Sequence, residues 1–88
     1  SSKKNTFLGV LIAHFLLEYV LSRNLGYVTG ADGGFQINPK KVFLPDTAFI
    51  SKERAGGLEG KIYPAAPDLA VEVISESEKP NKINRKVQ

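Results

Sequence analysis

Val42-Phe43-Leu44-Pro45-Asp46-Thr47-Ala48-Phe49-Ile50 and, further on, Asp68-Leu69-Ala70-Val71-Glu72-Val73-Ile74-Ser75 decide how this chain is read. Each is an apolar, partly β-branched run of strand length interrupted by one carboxylate, Asp46 in the first and Glu72 in the second. A charge on a strand that ought to be buried is costly unless it is paired, protonated or bound to a cation. Metal coordination is the simplest account of two such positions. The bland readings are a turn acceptor after a proline for Asp46 and a structural salt bridge, with Arg54 or Lys61, for Glu72.

Working outward, Pro45 has no N–H for a ladder, so the Val42–Ile50 strand is expected to lie at an edge or to bend there. Leu69 to Ile74 is continuous and β-branched, the pattern of a strand covered on both faces. Between them, Ser51 to Pro67 carries Gly56, Gly57 and Gly60 and reads as a mobile connection. Ahead of them, Tyr27–Thr29 and Phe35–Asn38 read as a hairpin whose loop, Gly30 to Gly34, uses glycine to reach positive backbone angles. No phosphate-binding glycine pattern is present.

Thr6 to Ser22 reads as a helix capped by Asn5 or Thr6, with Gly26 just past its end. Its apolar residues cover more than one face, leaving His14, Glu18 and Ser22 as a polar stripe, so it is expected to be covered on most sides. His14 and Glu18 in its middle argue against a membrane span, and His14 has no companion at metal-ligand spacing. Asp68 reads as a loop residue, and Glu76 and Glu78 as a solvated pair. The end of the chain becomes helix-compatible from Asn81, after Pro80.

At 88 residues this is one domain, 1–88, with a limited core. The absence of cysteine excludes disulfides and thiolate metal sites and fits a cytoplasmic location, leaving oxygen ligands or His14 for any metal. The net charge of +3 is mild. Lys3 and Lys4 at one end, with Lys79, Lys82, Arg85 and Lys86 at the other, are compatible with phosphate contact and equally with a solvated surface. If the two acidic strands are neighbours with both side chains on one face, Asp46, Glu72 and the carbonyl of Val73 are a sufficient set of hard ligands for magnesium.

The order of helix, hairpin, Leu-Pro-Asp-Thr-Ala-Phe-Ile, glycine-bearing loop, Pro-Asp-Leu-Ala-Val-Glu-Val-Ile-Ser-Glu-Ser-Glu and Arg-Lys-Val resembles a bacterial family of restriction endonuclease-like proteins, numerous in cyanobacteria, of the PD-(D/E)XK nuclease superfamily. The resemblance spans nearly the whole chain. It implies an α/β (α+β) restriction-endonuclease-like core, with an N-terminal helix packed on a mixed, mainly antiparallel sheet. It further implies a metal-dependent endonuclease that hydrolyses DNA with Mg2+ or Mn2+, in which Asp46 and Glu72 are the metal ligands. The superfamily lysine belongs two residues after the second acid, where this chain has Ile74, so the resemblance moves that role to Lys86. The family continues through more strand and helix, so the chain is expected to lack its C-terminal part. A catalytically inactive module acting in binding or assembly is the competing expectation, and a homodimer is a candidate assembly.

Overall fold

In the computed structural model, residues 2–74 are described. They form an N-terminal helix packed on an antiparallel sheet, with a two-stranded hairpin beside it, in an α+β arrangement. Helix α1 spans Lys3–Ser22, three residues longer at its start than its apolar pattern predicts, because Ser2 serves as the cap. The Ser2 Oγ accepts the Asn5 N–H at 3.1 Å, and the Ser2 carbonyl accepts the Thr6 N–H. At the other end Asn24, with φ of 54°, takes the left-handed turn expected of a glycine. Leu25 N–H reaches the Val20 carbonyl and Asn24 N–H the Leu21 carbonyl, which closes the helix before Gly26 is reached.

Gly26 instead opens strand β1 (Gly26–Thr29). A Cβ there would collide with the Ile50 carbonyl, so glycine is required by the close approach of the neighbouring strand. That strand is β4 (Thr47–Ser51), against which β1 runs antiparallel with Tyr27 opposite Ile50. The expected β1–β2 hairpin is therefore not formed. β2 (Phe35–Asn38) pairs with β3 (Lys41–Phe43) in a separate two-stranded sheet with an irregularity between Gln36 and Asn38. The glycines from 30 to 34 do not adopt positive angles. Gly33 is needed because a side chain would strike that of Thr29, and Gly34 because one would strike Ile62.

The single strand read from Val42 to Ile50 is two strands in two sheets, broken at Leu44–Asp46, where Pro45 interrupts the ladder and is itself buried. Ser51 then caps a one-turn helix, α2 (Lys52–Ala55), by accepting the Arg54 N–H, and Gly56 at φ 69° ends it. The mobile connection expected there thus contains a helix. β5 (Leu69–Val71) completes the three-stranded sheet in the order β1, β4, β5. It is shorter than expected and, contrary to the reading of a strand covered on both faces, it is an edge strand among the described residues, with Leu69 and Ala70 exposed.

The core lies around β4, where Phe35, Ala48, Ile50 and Ala55 are buried and Tyr27, Phe43 and Tyr63 pack against them. Tyr63 stacks on Phe35 at 5.1 Å and exchanges backbone hydrogen bonds with Gly34 and Gln36, tying the loop after α2 to the hairpin. Helix α1 docks on β1 and β4 through a stripe that includes Leu8, Gly9, Ile12, Leu16 and Val20. Buried Thr47 donates to the Gly9 carbonyl at 3.1 Å and pins the helix to β4. Only Val20 of the helix is fully buried, so the expectation of cover on most sides fails.

Candidate carboxylate site at the open end of β4 and β5

β4 and β5 are antiparallel, with Thr47 opposite Val71, Ala48 opposite Ala70 and Phe49 opposite Leu69. Continuing that register by one step sets Asp46 opposite Glu72, and directly opposed residues of an antiparallel pair project to the same face. The two acids are thus brought to the same end of the β4–β5 pair.

Their contacts explain why they hold that place. Past Thr47 the regular ladder stops, and side chains take over the backbone donors. The Asp46 N–H donates to Glu72 Oε1 at 3.0 Å, and the Val73 N–H donates to Asp46 Oδ2 at 2.7 Å. Each carboxylate thus holds the backbone of the opposite strand, and the two bonds cross. One oxygen of each is committed. Asp46 Oδ1 and Glu72 Oε2 make no further hydrogen bond, and neither acid has a basic partner within 4 Å, among the described residues. Asp46 is half-buried and Glu72 exposed, so the premise that Glu72 is a buried charge is corrected by the short edge strand on which it follows.

Arg54, a candidate partner for Glu72, is engaged elsewhere. Its Nε lies 3.4 Å from Asp68 Oδ1 and its Nη2 donates to the Ala66 carbonyl at 2.6 Å. Asp68 Oδ2 also accepts the Ser51 N–H at 2.8 Å. Asp68 therefore locks the far end of the β4–β5 pair, a role that the reading as a loop residue missed. Its place just before a strand, preceded by Pro67, was the available signal. Thr47 was missed likewise. A hydroxyl in an apolar strand was the hint of a buried partner.

Hard oxygen donors, two per site and held by backbone bonds, fit a divalent ion such as magnesium, which takes one or two carboxylates and completes its shell with water and substrate oxygen. No third Asp, Glu, His or Cys joins them among the described residues. His14 is remote from this chemistry, paired with Glu18 at 3.1 Å on the exposed side of α1. Lys86 lies outside the described residues.

A family model named Uma2 and described as "Putative restriction endonuclease" matches residues 1–88. No curated protein matches the sequence.

Proposed function

Since the chain belongs to this restriction endonuclease family, we propose that it is a divalent-metal-dependent endonuclease acting on DNA, with Asp46 and Glu72 as the metal-holding pair. The observation that carries this reading is the crossed pair of bonds from Asp46 N–H to Glu72 and from Val73 N–H to Asp46. They orient both side chains before anything binds and leave one oxygen of each to ligate. Preorganisation of this kind lowers the ordering cost of binding.

In hydrolysis of a phosphodiester, a water oxygen forms a bond to phosphorus and gives up a proton, one ester P–O bond breaks, and the departing oxygen takes up a proton. A bound magnesium or manganese ion supplies charge neutralisation on the phosphate and a lowered pKa for its water. The chain's own contribution is to fix the two carboxylates at the end of β4 and β5 through their crossed backbone bonds. Lys86 is the candidate for orienting the attacking water, assigned by its place in the Arg85-Lys86-Val87 motif.

Cleavage of supercoiled plasmid with added Mg2+ or Mn2+ tests the proposal. Metal-dependent nicking by the unaltered chain, lost in Asp46→Asn and in Glu72→Gln, is the expected result. Undiminished nicking by both variants overturns the assignment. Metal binding without cleavage favours instead a module that retains the fold and serves binding or assembly.

A further inference from the structure

On the side of α1 facing away from the sheet, Phe7, Val10, His14, Leu17 and Leu21 follow one another at alternating steps of three and four residues. This is the spacing of a seam that meets another helix, an a/d pattern of period 3.5. The seam is unpartnered among the described residues: Phe7 is 63% exposed, Val10 69% and Leu21 64%. The opposite stripe of the same helix is already occupied by β1 and β4, so the seam is a second face and not a misplaced core.

We propose that this face pairs with the same face of a second copy of the chain, the two helices antiparallel about a two-fold axis that crosses them between Val10 and His14. Charge selects the copy and its direction. Lys4, Leu11 and Glu18 share the e position beside the seam, and in an antiparallel pair e faces e of the partner. Lys4 of one helix then lies near Glu18 of the other, whose Oε1 also meets His14 of its own helix at 3.1 Å, twice by symmetry, as an isologous interface demands. A parallel pair would instead set Lys3, at a d position, beside its own copy. The antiparallel arrangement also opposes the helix dipoles.

A lipid occupant fits less well, although α1 is long and apolar enough to cross a membrane by length and composition. The His14–Glu18 pair sits mid-seam, and a spanning helix would have to break the bond from Thr47 to Gly9 and leave the sheet.

The test is sedimentation equilibrium on the unaltered chain, Leu17→Glu, Lys4→Glu, Glu18→Lys and the double exchange. The exchanged side chains are exposed, and circular dichroism melts check that each variant stays folded. A concentration-dependent dimer is expected, weakened at least tenfold by Leu17→Glu and severalfold by either single charge change, and restored in the double exchange. A monomer throughout the accessible concentration range overturns the proposal. So does a dimer indifferent to Leu17→Glu, a double exchange no tighter than the single changes, or a monomer that cosediments with phosphatidylcholine–phosphatidylglycerol vesicles through α1.

Discussion

At the Ser51 end of β4, a carboxylate from the neighbouring strand is fully employed: Asp68 takes a backbone N–H with one oxygen and the Arg54 guanidinium with the other. At the Asp46 end, two carboxylates each take one backbone N–H, and among the described residues nothing basic meets the oxygens that remain. The side chains are chemically equivalent and flank the same two strands. What separates a structural acid from a candidate ligand is therefore the inventory of its oxygens and not its identity or its burial. Satisfied oxygens hold register, and open ones are available to a cation.

The strongest way to break this contrast is to change one end and ask whether the other responds. Asp46→Asn keeps a side-chain oxygen for the Val73 N–H but removes the ligating charge. Metal-dependent cleavage should fall by about 100-fold or more with little change in melting temperature, since loss of metal stabilisation is worth several kcal/mol at the transition state. Asp68→Ala should do the reverse in kind. It orphans the Ser51 N–H and the Arg54 charge, costing about 1–2 kcal/mol and lowering the melting temperature by about 5–10 °C in a domain this small. Cleavage per folded molecule should stay within severalfold of the unaltered chain.

Thr47→Val sharpens the comparison between the two faces of β4. It removes the hydroxyl that holds α1 at Gly9 and should cost about 1 kcal/mol by thermal or urea unfolding. Smallest of all is Arg54→Lys, which retains charge near a partly exposed Asp68 but loses the fork that also reaches Ala66. A loss of about 0.5 kcal/mol in a urea titration is expected, in line with solvent-screened pairs.

That each of the two runs carries a carboxylate was legible, but that Asp46 and Glu72 fall opposite one another was not, because the register of β4 against β5 is set by long-range contacts that leave no pattern in either run. The helix was legible from its apolar run, but not its start, since Ser2 contributes only a cap and no apolar contact. Strand partners were not legible. Tyr27–Thr29 has the composition of a hairpin arm for Phe35–Asn38, yet Gly26 admits β4 at a distance no side chain would tolerate, and that long-range approach leaves only a glycine in the sequence. The burial of Glu72 was misjudged for a related reason. A β-branched run looks the same whether its strand is central or at an edge. The roles of Asp68 and Arg54 were hidden because they pair with each other and with backbone groups that only the fold brings near.

The shared ion is most directly tested by calorimetric titration of Mn2+ into the unaltered chain, Asp46→Asn, Glu72→Gln and Asp68→Asn. One ion bound per chain is predicted for the unaltered protein and for Asp68→Asn, with binding lost in the other two. Equal affinity in all four, or a loss in Asp68→Asn as deep as in Asp46→Asn, would contradict a cation held between Asp46 and Glu72.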